Sequence, residues 1–171
     1  MSKAFTREDD ALPEQPERIE RVSTLPEGAR NYLTAGGAAR LGNELVNLLE
    51  RERAALTIAD DPASKQRLQT LDRRVEELQE SLQSAEVVPA PPPPHDRVRF
   101  GATVTVRDPH GEESRYRIVG TDETDLDHDW VSWMSPIAKA LLNARLNQRV
   151  RFKFPSGETE LEVVKIIYEN G

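Results

Sequence analysis

The sequence contains no cysteine, which excludes disulfide scaffolds, thiolate zinc sites and thiol nucleophiles. Aromatic residues make up 5% of it against 31% charged residues, a balance that points to long exposed helices rather than one compact core. No apolar run approaches the ~18–20 residues of a membrane span. Residues 1–20 also lack the apolar stretch of a signal peptide, so a cytoplasmic protein without membrane contact is expected. There is no excess of positive charge either. A net charge of −7 argues against bulk electrostatic attachment to DNA or an anionic membrane. Phosphate-cradling G-x-x-x-x-G-K, dinucleotide-binding G-x-G-x-x-G and nucleophile-elbow G-x-S-x-G motifs are all missing, so no enzyme of those classes is expected. His95, His110 and His128 are far apart and read as surface residues.

What is present divides the 171 residues into four parts. Residues 1–30 are polar, charged and punctuated by Pro13, Pro16 and Pro26, and read as a tail without a packed face. Residues 31–88 read as a two-helix hairpin. Thr34 is a good N-cap, and Ala38, Leu41, Leu45, Leu48 and Ala55 recur at helical spacing, with Glu52 interrupting the seam. Leu68, Leu71, Val75, Leu78, Leu82 and Ala85 repeat at strict three–four spacing in a second helix, which Asp61 caps and Pro62 opens. Only Ile58-Ala59-Asp60-Asp61 lies between them, so the helices must run antiparallel, with arms of roughly 37 Å. Residues 89–96, with Val87 and Val88 before them, read as a stiff Pro-rich linker that separates two units.

From residue 97 the period changes to two. Val98, Phe100, Ala102, Val104 and Val106 form a half-buried strand, Asp108-Pro109-His110-Gly111 a turn, and Tyr116 and Ile118 begin a partner strand. A third strand is expected at Trp130–Trp133. Ser135-Pro136 opens a short apolar helix through Leu142, and Val150, Phe152 and Phe154 precede a closing strand at Leu161–Tyr168. The expected class is α+β: a helical hairpin followed, over residues 97–171, by a small antiparallel sheet on one short helix.

Three clusters carry candidate chemistry. Asp125, Asp127 and Asp129 have the 1, 3, 5 spacing of a calcium loop. Trp130 then stands where glycine is required and Pro136 where glutamate is required, so the match fails. This acidic stretch is a solvated loop or a docking surface for a basic partner. Asp60 and Asp61 sit at the hairpin tip. Asp61 reads as a cap and Asp60 as a turn residue, yet two carboxylates are also enough in principle to help bind a Mg²⁺ supplied elsewhere. Arg67, Arg73 and Arg74, with Lys65, lie among glutamates on the second helix as a mixed-charge surface or a nucleic-acid contact.

The chain resembles the Gre family of bacterial transcription elongation factors, on its GreB-like side. Residues 31–56 are similar to the family's first helix with its N-Y-[IL]-T opening, and residues 65–88 to its second, including L-D-R-R. Phe100-Gly101-Ala102-Thr103-Val104, Tyr116-Arg117-Ile118-Val119-Gly120, Asp122-Glu123, Ser135-Pro136-Ile137-Ala138-Lys139-Ala140-Leu141-Leu142 and Pro155-Ser156-Gly157-Glu158 fall in family order and spacing. The resemblance implies a coiled-coil hairpin that enters the secondary channel of RNA polymerase. It further implies an FKBP-like C-terminal domain that docks on the channel rim, with Asp122, Glu123, Ser135, Pro136 and Ile137 as contacts. Arg67, Arg73 and Arg74 would face the channel or nascent RNA. In the family, tip carboxylates help hold a polymerase-bound Mg²⁺ that promotes hydrolysis of backtracked RNA, following two-metal logic. Here the family's tip segment G-D-x-S-E-N-A-x-Y is missing, a loss of about fourteen residues or roughly one heptad per arm. Each arm is then shorter by about 10 Å, far beyond the ~0.2 Å tolerance of metal ligation. The expectation is a monomeric polymerase-binding regulator with weak or no stimulation of cleavage and no cofactor of its own. The alternatives are a working cleavage factor using Asp60 and Asp61, a prolyl isomerase, or a coiled-coil adaptor without polymerase contact.

Overall fold

The computed structural model describes residues 25–59 and 61–169; residues 1–24 of the expected tail, Asp60 and residues 170–171 lie outside the described residues. The chain enters as a short strand, β1 (Asn31–Thr34). Thr34 then ends the extended backbone and accepts a hydrogen bond from the Gly37 N–H at 2.9 Å, capping α1 (Ala35–Asn47). A π-helical turn at Leu48–Glu52 follows, continued by α2 (Arg53–Ile58). It falls where Glu52 breaks the apolar repeat, and Asn47 donates to the Glu52 carboxylate at 3.0 Å across it. The wider turn absorbs a residue and so re-phases the helix face. After the tip, α3 (Pro62–Ser84) returns antiparallel, with Pro62 in its first turn.

Leu33, Leu41 and Leu78 form the buried centre of the hairpin, with Leu45, Leu48 and Leu82 packed around it. Ion pairs Arg74–Glu44 at 2.8 Å and Arg53–Asp72 at 3.3 Å tie the arms together from outside. Because the two arms are nearly equal in length, the end of α3 returns to β1. There Ala85–Val88 forms β2, paired in parallel with Asn31–Thr34. Val87 and Val88 therefore belong to this ribbon and not to the linker. The pairing joins residues more than fifty positions apart, and no local period announces it.

The remaining strands are β3 (Ala102–Arg107), β4 (Glu113–Val119), β5 (Trp130–Ser132), β6 (Arg149–Phe154) and β7 (Gly157–Tyr168), in the order β5-β4-β3-β7-β6. The short helix α4 (Pro136–Leu141) follows β5, capped by Ser135, whose hydroxyl accepts from the Ala138 N–H. Ile137, Ala138 and Leu141 pack with Val104, Ile118 and Val163 in the core.

Two expectations are corrected. The sheet is mixed, because β5 runs parallel to β4 after the connection through residues 120–129. The strand expected from Val98 is split by a turn at Arg99–Gly101, where Gly101 has φ 83° and the Ala102 N–H bonds the Arg99 carbonyl. Alternation persists through this turn because Val98 is still fully buried. It is held by backbone bonds to Ala144 and Asn143 instead of a strand neighbour. Among the described residues, no helix is long and apolar enough to cross a membrane.

Candidate functional site

At the tip, Ile58 is 85% exposed, while Asp60 lies outside the described residues. Asp61 is engaged locally: one carboxylate oxygen accepts from the Ser64 N–H at 2.9 Å, the other from the Ser64 hydroxyl at 2.6 Å. These two bonds, led by the hydroxyl, hold its carboxyl below the usual range, with a smaller contribution from Arg67. A carboxylate stabilised in the folded state supports the fold fully above its unfolded pKa and loses that support as pH falls through the lower folded value. Asp61→Ala is therefore expected to fray the start of α3 and lower the thermal midpoint at neutral pH. The wild-type advantage should disappear in acid, checked by far-UV circular dichroism over a pH series.

Further down the hairpin, Arg67 and Arg73 are exposed. Arg74 is not a free cation. It makes a two-point contact with the Glu44 carboxylate at 2.8 and 3.1 Å and reaches Glu77 at 3.5 Å. Glu44 raises its pKa further above the ordinary value, chiefly through that hydrogen bond. Arg74 thus serves as a clasp between the arms.

The five rim candidates have different surroundings. Pro136 is exposed, Ser135 caps α4, and Ile137 is buried in the core. Asp122 turns toward the hairpin, where it accepts from the Ser81 hydroxyl and from Asn31 Nδ2 at 3.5 Å. Glu123 is fully enclosed. Its carboxylate accepts from the Thr34 N–H at 2.8 Å, the Gly120 N–H at 3.0 Å and the Thr34 hydroxyl, and Arg40 lies 3.5 Å away. As direct surface contacts, Glu123 and Ile137 are thus corrected: their side chains are consumed inside the molecule. Sequence alone reads an Asp-Glu pair as solvated because charged residues are rarely buried unless paired.

The same junction brings together residues the sequence reading passed over. The Arg40 guanidinium lies 4.5 Å from the centre of the Trp130 ring, and Arg117 lies 4.9 Å from it. Tyr32 packs edge-on against Trp133 and tilted against Phe100, at centroid distances of 5.2 and 5.8 Å. The Pro-rich segment therefore does not hold two separate units apart; the base of the hairpin is packed on the sheet. The aromatic residues at 32, 100, 130 and 133 are the one available signal, since four of so few converge here.

In the acidic loop, Asp125 accepts from the Asp127 N–H and contacts His128 Nδ1 at 2.9 Å, while Asp129 adopts φ 58°. The described residues contain no group of three or more His, Asp or Glu able to hold a metal ion.

Residues 93–168 match the family described as transcription elongation factor, GreA/GreB, C-terminal. Transcription elongation factor GreB of Haemophilus influenzae is 37% identical over 153 positions, covering 81% of this chain and 97% of that one. GreB of Pseudomonas aeruginosa is 39% identical over 150 positions, covering 80% and 89%. Since 81% of 171 residues is about 139, about fourteen of the 153 positions in the first alignment have no counterpart in this chain. Among solved structures, the GreA factor homolog 1 protein of Thermus thermophilus is 27% identical, covers 81% of this chain and 99% of that one, and has a TM-score of 0.39.

Proposed function

The chain belongs to the GreA/GreB family of transcription elongation factors, and from that membership we propose that it binds RNA polymerase and regulates elongation with little or no stimulation of transcript cleavage. It acts through the polymerase and is not an enzyme in its own right. In this reading the sheet unit, FKBP-like in fold, docks at the rim of the secondary channel, and the hairpin, a short coiled coil, enters the channel. Pro136 supplies the exposed rim contact, with Ser135 and Ile137 setting the helix that carries it. Arg67 and Arg73 face the channel wall or nascent RNA, while Arg74 stiffens the probe.

The observation that carries the reading is the state of Asp61: both carboxylate oxygens are engaged by Ser64, in the geometry of a helix cap. These bonds hold the carboxylate back against the first turn of α3 as a cap rather than extending it from the tip, although each oxygen keeps a further lone pair. The absence of the family's G-D-x-S-E-N-A-x-Y tip segment between the two helices points the same way from length. The test is a polymerase halted on backtracked RNA. The protein is expected to bind the complex and alter its elongation while RNA shortens no faster than with polymerase alone. Cleavage that is accelerated by the protein and lost in the Asp60→Ala/Asp61→Ala variant would overturn the reading.

A further inference from the structure

The enclosed carboxylate at the junction is an unusual object in an otherwise well-solvated molecule. The Glu123 side chain has no exposed surface. One of its oxygens accepts backbone N–H bonds from both halves of the protein: Thr34 at the start of the hairpin, and Gly120 at the end of β4. Its other oxygen takes the Thr34 hydroxyl, which in turn caps α1 by accepting from Gly37. The space is cleared by two glycines. A Cβ on Gly37 would lie 1.8 Å from the carboxylate, and one on Gly120 would lie 3.1 Å from it and 2.0 Å from the Tyr32 carbonyl.

We infer that Glu123 is the positioning residue that fixes the direction in which the hairpin leaves the sheet unit. The aromatic contacts of Tyr32 bury area with only a weak orientational preference. Charge-assisted bonds to two backbone amides are short and directional, and they set an angle. The first turn of α1 is tied to the same carboxylate through Thr34, so the start of the helix is referred to β4 through Glu123, while Asp122 makes a second tie to Ser81 further along α3. The lever is long. An arm of about 35 Å that tilts by about 10° at its base displaces its tip by about 6 Å. A probe that must enter a channel needs that angle held, and this consequence rests on the polymerase reading above; the lock itself does not.

The natural absence of cysteine allows a direct test. Nitroxide labels are placed on the full chain at Gln69→Cys on α3 and Ser114→Cys on β4, both exposed, and the inter-label distance is measured by pulsed electron paramagnetic resonance. With Glu123 intact a single narrow distance is expected. Glu123→Ala should lose it in favour of a broad or displaced distribution. Glu123→Asp keeps the charge but shortens the reach to Thr34, and should lose the narrow distance as well; it decides the matter if the alanine variant does not fold. Circular dichroism and tryptophan emission establish that both units are intact in the variants. An unchanged narrow distance in either folded variant would overturn the inference. A second readout uses polymerase. Glu123→Asp is expected to retain binding through the sheet unit while losing the effect on elongation. Loss of neither overturns the positioning role, whereas failure of the unaltered protein to bind polymerase defeats the proposed function and leaves the distance measurement to decide on Glu123.

Discussion

Leu78→Ala is expected to lower unfolding free energy by about 3–4 kcal/mol, the largest single-residue effect foreseen in the hairpin. Leu78 is 2% exposed and meets Leu33, fully buried in β1, and Leu41, 8% exposed in α1. It is therefore the point where both helices and the parallel ribbon touch. Removing its isobutyl group leaves a cavity lined by a scaffold that cannot collapse, because β1 is pinned to β2 and Arg74 is clasped to Glu44. The hairpin centre holds three buried residues in that cluster, and cutting one back leaves Leu71 and Val75 as the buried apolar residues of α3. The sheet unit has its own core around Val104, Ile118 and Val163 and is expected to survive. Denaturation followed by far-UV circular dichroism should lose its helical transition early. A shift of less than about 1 kcal/mol would mean that the arms are held by their exposed ion pairs instead.

Gly37→Ala should be destabilising by about 2–4 kcal/mol even though alanine is the better helix former. On helix propensity alone the substitution gains about 1 kcal/mol, and Gly42→Ala, five residues further on in the same helix, is expected to show that gain. A Cβ at Gly42 would meet nothing within 4 Å. At Gly37 it would meet the Glu123 carboxylate carbon at 2.1 Å and an oxygen at 1.8 Å. That carboxylate has nowhere to go, because its displacement leaves the Thr34 and Gly120 N–H groups buried without acceptors. The two substitutions share a helix and a chemistry, so opposite signs in thermal midpoint isolate the junction. Stabilisation by both would mean that Glu123 shifts aside at no cost.

The hairpin was legible because its signals are local. Asp61-Pro62 announced the cap and first residue of α3, and the three–four repeat from Leu68 to Leu82 announced its buried stripe. The Glu52 interruption proved to be a π-helical turn, which hydrophobic spacing registers as a fault without saying how the backbone absorbs it. In the sheet unit, alternation found β3, β4, β6 and β7 but not the parallel direction of β5, since a strand's period is the same whichever way its neighbour runs. Asp122 and Glu123 were singled out as rim contacts by family resemblance, and the structure encloses the Glu123 side chain between backbone amides. Nothing in a linear sequence distinguishes a carboxylate facing water from one facing two backbone amides.

Sequence alone determined the class of the protein, its helical hairpin and its strands, because propensity, capping and periodicity act over a few residues and leave a local trace; its family came from motif resemblance instead. Tertiary structure decided how the probe is mounted: the ribbon joining Thr34 to Val88, the clasp of Arg74 on Glu44, and the enclosure of Glu123 between Thr34 and Gly120. Apart from the local Gly120–Glu123 bond, those contacts join residues 30 to 90 positions apart, and they exist only where packing brings the chain back on itself and removes the water that would otherwise satisfy the same groups.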